Sequence, residues 1–176
     1  ITQPSESSVR QSSLRQALVE RGYQEAVTFS FVDPKMEETL APGQTALALA
    51  NPISVDLAVM RSTLWSGLLR AVAYNLNRQQ NRVRLFEMGP AFYQDDAGKA
   101  QQKTHLAGVI TGNLYPEQWA QLNRPVDFYD LKGDIEALLE QATGTQFHVA
   151  PVAHPALHPG PVSYKHLTLP PKPSFA

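Results

Sequence analysis

Apolar and polar positions change period several times along the chain, and each change marks an element. Within 65–76, Trp65, Leu68, Leu69, Val72 and Leu76 fall at i, i+3, i+4, i+7 and i+11, one face of a helix that must be buried. After the polar bend 75–81 the period drops to two. Val83, Leu85 and Glu87 share one side of a predicted strand, with Arg84, Phe86 and Met88 on the other. Gly89-Pro90 is expected to break that run, and Ala91-Phe92-Tyr93 to resume it before the turn Asp95-Asp96-Ala97-Gly98.

Residues 1–11 are polar and read as a linker or the end of a preceding domain. Ser12 or Ser13 is placed to cap a helix with the stripe Leu14, Ala17 and Leu18, and Gly22 can take its left-handed stop. A strand over 26–32 would set Val27, Phe29 and Phe31 on one face. Asp33-Pro34 ends it and opens a short helix to Leu40. Further elements are expected at 47–50 (strand), 104–112 (strand), 115–119 (short helix) and 147–149 (strand). A helix from Asp130 would bear Leu131, Ile135, Leu138, Leu139 and Ala142, with Asp130 as its cap.

Composition narrows the class. The 176 residues are 43% hydrophobic and 18% charged, enough for one domain with a core, over 12–160. Zero cysteines exclude a disulfide framework and any thiolate metal site. No apolar run reaches membrane-spanning length and no leader is visible, so the expected location is the cytoplasm, with no membrane partner. The chain begins at Ile1 rather than Met, which reads as a piece cut from something longer. A net charge of −1 argues against a broad nucleic-acid-binding face.

Charge is unevenly spread. Arg61, Arg70, Arg78, Arg82 and Arg84 lie in a stretch free of carboxylates, whereas 117–140 is acidic. Intramolecular ion pairs between the two halves are the plain reading, and an RNA or phosphate contact by Arg78, Arg82 and Arg84 the sharper one. His154 and His158 have a zinc-ligand spacing, but Pro155 and Pro159 oppose a helix there. Turn chemistry and capping account for Asp95, Asp96, Asp127, Asp130 and Asp134. No phosphate-cradling glycine loop or nucleophile elbow is present. No catalytic, cofactor-binding or metal-binding residue is therefore assigned.

Met60-Arg61 at the head of a helix, followed by a strand and then Met88-Gly89-Pro90-Ala91-Phe92, resembles the second signature of class II aminoacyl-tRNA synthetases, which ends Gly-Pro-x-Phe-Arg-x-Glu. Tyr93 stands where that family has the arginine that grips the ATP α-phosphate. A phenol offers one neutral hydrogen bond and no fixed charge. The family's Leu-Arg-Pro-Glu-x-Thr entry reads Met60-Arg61-Ser62-Thr63-Leu64-Trp65 here, without the glutamate. RGYQEAVTFSFVDP resembles the first signature. With DFYDLKGD, LAGVITGN and Ala153-His154-Pro155, these motifs resemble the catalytic-like module of bacterial phenylalanyl-tRNA synthetase β subunits over about Ser12 to Gly160.

The resemblance implies an α+β fold, a mainly antiparallel class II sheet flanked by helices, read here as carried on one face. It implies an inert module of an α2β2 phenylalanine–tRNA ligase, supporting an α subunit that holds the ATP and phenylalanine site. ATP and Mg2+ belong to the whole enzyme, with no cofactor in this piece, and tRNA is a partner of the whole. The interface expectation falls on Leu14, Leu18, Trp65 and Tyr74. The alternatives are a stand-alone adenylate-forming ligase, in which Arg61 or Arg84 takes the phosphate contact, and an RNA-binding module using Arg78, Arg82 and Arg84. Residues 161–176 abandon the pattern, with Pro161, Pro170, Pro171 and Pro173 opposing regular structure. They read as a non-native or disordered tail from read-through, a misassembled frame or a cloning scar.

Overall fold

The computed structural model describes residues 11–95, 97–120, 122–143, 148–151, 154, 156–157 and 164–168. Its elements are α1 (Gln11–Glu20), β1 (Gln24–Glu25), β2 (Phe31–Val32), α2 (Pro34–Leu40), β3 (Val59–Met60), α3 (Trp65–Leu76), β4 (Val83–Gln94), β5 (Ala100–Thr111), α4 (Phe128–Thr143), β6 (His148–Pro151) and β7 (Tyr164–Thr168). The frame is the antiparallel hairpin of β4 and β5, in register from Val83 opposite Thr111 to Gln94 opposite Ala100. β1 joins it parallel to β4, β2 pairs antiparallel with β3, and β6 with β7.

The period-two reading of β4 holds, and it divides the core in two. Val83 and Leu85 meet Leu64, Leu68 and Val72 of the α3 segment, with Ala26, Ala107 and Val109 around them. Phe86, on the other side, packs with Leu18 of α1, Tyr23, Ile110 and Leu138 of α4. Helices therefore cover both faces of the sheet, where the sequence reading put them on one. The α3 stripe is also rotated from its expected setting: Leu64, Leu68 and Val72 are buried, while Leu69 and Leu76 are exposed. Two adjacent helical stripes satisfy the same spacing, and only the position of the sheet chooses between them.

Pro90 lies inside β4 rather than breaking it. The even-numbered backbone groups of β4 point away from β5: Ala26 N–H donates to Phe86 O, and Phe92 N–H donates to Arg61 O. The N–H that Pro90 lacks would point the same way, so no hairpin bond is lost, and its carbonyl accepts from Arg61 Nε at 3.0 Å.

Capping is partly as expected. Asp33 accepts from Lys35 N–H at 2.8 Å and starts α2 with Pro34 in the first turn. Gly22 takes φ +80 after α1. α1 begins at Gln11, so Ser12 and Ser13 lie within it rather than capping it. At α4 the cap is Asp127, which accepts from Tyr129 and Asp130 N–H, while the Asp130 carboxylate turns back to grip Arg124 with two 2.7 Å bonds. Segment 47–50 makes only a single bridge among the described residues, Ala48 to Val59, closed by Leu49 N–H to Ala58 O and Met60 N–H to Leu47 O. Segment 115–119 is loop, held by paired Tyr115–Asn123 hydrogen bonds instead of helical ones. Phe147 and His158 lie outside the described residues. Within 161–176, where no element was expected, Tyr164–Thr168 forms β7 against β6.

The helix–sheet contact tolerates no extra bulk at Gly67, where an added Cβ would fall within bonding range of the Thr28 hydroxyl. Gly67→Ala should cost about 1–3 kcal/mol in urea unfolding, the usual range for an overpacked core. An unchanged midpoint would show that α3 slides freely on the 26–30 segment.

Candidate functional site

Arg61 sits between β3 and α3 with 1% of its surface exposed, facing Glu87 at 2%. Its Nη1 donates to Glu87 Oε1 at 2.7 Å and to Thr28 Oγ1 at 2.9 Å. Thr28 in turn donates its hydroxyl to Glu87 Oε2 at 2.7 Å. Gly89 keeps the space open, since a Cβ there would stand 2.6 Å from Arg61 Nη2. A charge taken this far from water is tolerated only when paired and hydrogen-bonded. Every one of these partners belongs to the chain itself, so Arg61 is a structural cation and offers no grip to an external phosphate.

A second carboxylate, Glu37 of α2, is buried beside the entry to α3, where it accepts from the N–H of Ser62 at 2.6 Å and from the Ser62 hydroxyl. A negative group at the start of a helix is favoured by the helix dipole. Glu37 Oε2 has no hydrogen-bond partner among the described residues.

Tyr93 stands on the α3 side of β4, at the wall of a cleft of about 530 Å³. ATP, the group that the class II resemblance implies, does not fit what is present. Tyr93 replaces the gripping arginine, Arg61 is locked to Glu87, and Arg84 lies across the sheet against Asp134 at 3.5 Å. Among the described residues no cluster of three His, Asp or Glu could hold a metal ion.

The remaining basic residues are mostly engaged within the chain. Arg84 lies over the Tyr23 ring and donates to Arg21 O, and Arg82 donates to Leu114 O. Burial and then the charge of Arg84 hold the Arg82 pKa below the ordinary guanidinium value. Arg78 is exposed and covers the Tyr74 ring at 3.3 Å. Tyr23 closes the α4 side by donating its hydroxyl to Asp134 at 2.7 Å; burial, then that bond, raises its pKa.

Of the interface expectations, Tyr74 is exposed and Leu14 half-buried, whereas Leu18 is enclosed in the chain's own core. Trp65 meets His154 edge-on at 6.2 Å. Val27 and Phe29, read in the sequence only as part of a strand face and not as contact residues, are 91% and 76% exposed. Ala26 and Thr28 turn toward α3, so Val27 and Phe29 face the opposite side, beyond the cover of α1 and α4. The strand expected over 26–32 is not continuous: 26–30 runs without ladder pairing between β1 and β2, and Leu106, opposite Met88, is a further exposed apolar residue on β5. The alternation Val27, Phe29 was visible; what hid its meaning was the assumption that an apolar face is an inner face. Trp119 and Leu122 also project from the loop before α4.

A mainly antiparallel sheet, a long central hairpin and a helix on each side define a class II synthetase-like α+β fold. Among solved structures, the chain is similar to two of pyrrolysyl-tRNA synthetase from Desulfitobacterium hafniense. One has a TM-score of 0.57 and 17% identity, covering 81% of this chain and 47% of that one. The other has a TM-score of 0.54 and 16% identity, covering 80% and 48%. The family description "Phenylalanyl tRNA synthetase beta chain CLM domain" fits residues 1–164, and the chain belongs to that family. Phenylalanine--tRNA ligase beta subunits resemble it in sequence: 52% identity in Yersinia pestis (91% of this chain, 20% of the relative) and 55% in Pseudomonas fluorescens (84% and 19%). The chain thus spans about a fifth of the length of these curated relatives. No helix among the described residues is long and apolar enough to cross a membrane.

The Arg124–Asp130 clamp gives a pH test. The bond from Arg124 holds the Asp130 carboxyl down at about 2. A depressed folded-state pKa adds stability above the unfolded value, near 4, and that stability is lost as pH falls through about 2. Acid titration followed by urea unfolding should show this loss between about pH 4 and 2. Asp130→Asn should flatten that part of the curve, and an unaltered slope would remove the clamp from the acid response.

Proposed function

We propose that this chain is a non-catalytic, architectural module of a phenylalanine–tRNA ligase β subunit, which holds a catalytic α subunit in an α2β2 assembly that attaches phenylalanine to its tRNA. The observation that carries the reading is the fate of the cationic positions: Tyr93 has no guanidinium, and Arg61 is closed off by Glu87 and Thr28. The whole enzyme would use ATP and Mg2+ in the α subunit. Membership of the β-chain family supports the partner, and a cytoplasmic location agrees with a translation enzyme.

The contact surface we assign centres on Val27 and Phe29, in the segment between β1 and β2, with Tyr74 as a separate exposed anchor on α3. Aromatic and aliphatic groups left this far out of water gain most from a partner that covers them. Leu14 and Trp65 remain candidate contacts of the same assembly, while Leu18 lies in the core. We read residues 1–11 as a linker or the end of a preceding domain and 161–176 as a non-native tail, within which Tyr164–Thr168 pairs with β6. A stand-alone ligase would find Arg61 and Arg84 already engaged within the chain, and an RNA-binding module would have Arg78 but neither Arg82 nor Arg84 freely available.

Co-expression with a matching α subunit should yield a stoichiometric complex, and the chain alone should be silent in phenylalanine-dependent ATP–pyrophosphate exchange. Phe29→Ala should weaken the complex by about 2 kcal/mol, as hot-spot truncations do, while leaving the thermal unfolding of the chain itself unchanged. Exchange by the isolated chain would end the non-catalytic reading, and a complex indifferent to Phe29 would move the interface elsewhere.

A further inference from the structure

The loop between β5 and α4 is braced at its base and bare at its tip. Gly112 takes φ +88 where β5 ends, and a Cβ there would collide with Asn81 O. Beyond it, Val126 N–H donates to Gly112 O, Leu114 N–H donates to Arg124 O, and Asn113 bridges Pro125. The Asn123 side chain then closes on both backbone groups of Tyr115, accepting from its N–H at 3.2 Å and donating to its carbonyl at 3.0 Å. This stem is moored on two sides, by Arg82 donating to Leu114 O and by the grip of Asp130 on Arg124. At the tip it carries, Trp119 is 99% exposed and Leu122 98%.

Residues 113–123 hold one charge, Glu117, and the cation that follows, Arg124, is committed to Asp130. The loop thus offers no free cation to a phosphate-bearing partner, whether nucleic acid or lipid headgroup. A bare tryptophan on a fixed stem suits an apolar pocket on a protein instead. Size decides where that pocket lies. A buried aromatic covers about 150–250 Å², whereas a separate stable interface needs roughly 1,200 Å² or more. Trp119 and Leu122 fall short of that, so their contact holds where covalent connection supplies a high effective concentration. The tip does not extend the surface around Val27 and Phe29 either. The loop leaves the sheet at Thr111, opposite Val83, whereas 26–30 runs from Phe86 past Glu87 toward the other end of β4. Curated relatives are about five times as long as the stretch that matches this chain, so a subunit of that kind has ample chain to supply a pocket.

We propose that Trp119 and Leu122 are an intramolecular anchor, seated in an apolar pocket of another domain of the same β-subunit polypeptide, which fixes this module against it. The braced stem serves that role because a preordered tip loses little freedom on docking. The proposal rests on the reading of this chain as one module of a longer β subunit, and not on where the α subunit binds.

The test grafts residues 12–160 in place of their counterpart in the Yersinia pestis β subunit, 52% identical to this chain, with and without the α subunit. A photoreactive benzoylphenylalanine in place of Trp119 should, on irradiation, link to the same polypeptide outside the graft. Peptide mass spectrometry maps the link, and the subunit should still run as a single chain. Endoproteinase Glu-C should cut after Glu117 readily in the isolated 176-residue chain and slowly in the grafted subunit. Trp119→Ala should speed that cut in the subunit by about tenfold or more, as loss of a docked aromatic shifts the opening equilibrium. In the isolated chain the same change should leave thermal unfolding where it was, because the side chain is already in water. Links to α, to a second β copy or to bound tRNA overturn the proposal, and so does the absence of any link. A grafted subunit cut as fast as the isolated chain, or indifferent to Trp119→Ala, overturns it as well. A graft that fails to bind α counts against the architectural reading alone, because the link within β is read without α.

Discussion

The buried pair of Arg61 and Glu87 is the constraint from which the rest of the architecture follows. It ties three separated stretches together: the extended segment through Thr28, the approach to α3, and the middle of β4. Arg61 uses its backbone as well as its side chain, donating its N–H to Ser30 O and accepting from Phe92 N–H. One residue therefore fixes where the chain crosses the sheet and where α3 begins. A pair so enclosed contributes little net stability over an apolar substitute, but it leaves few alternative arrangements that satisfy both charges. Its role here is to specify an arrangement.

That constraint separates architecture from chemistry. In an adenylating relative an arginine must face the substrate, whereas here the guanidinium faces inward and a phenol stands at the cleft. The module keeps the sheet, the hairpin and the helices while Arg61 is held by its own Glu87 and Arg84 lies against Asp134. The apolar surface that remains is on the other side, around Val27 and Phe29. Division of labour between subunits of one ligase is consistent with this distribution.

What could be read from the chain was local. The alternation of β4, the Asp33-Pro34 helix start and the Gly22 stop depend on neighbours in sequence, and each is found where expected. What could not be read depended on partners far away. Glu87 looked like one more residue on a strand face until Arg61, from another element, met it. The rotation of α3 needed the position of the sheet, and Pro90 could be accommodated only because the carbonyls of β4 alternate in direction. Asp130 seemed suited to capping because the competing grip of Arg124 left no trace in the local pattern.

Pro90 also decides how another molecule can approach the sheet. On the β1 side of β4 it offers no donor, its carbonyl is taken by Arg61, and Phe92 N–H is taken as well. That margin is closed to strand addition. β5 forms the opposite margin among the described residues, and its outward backbone groups have no ladder partner there. Edge-to-edge pairing from outside the chain is thus confined to one border of the sheet, and any molecule meeting the Val27 and Phe29 side must pack its side chains flat against it.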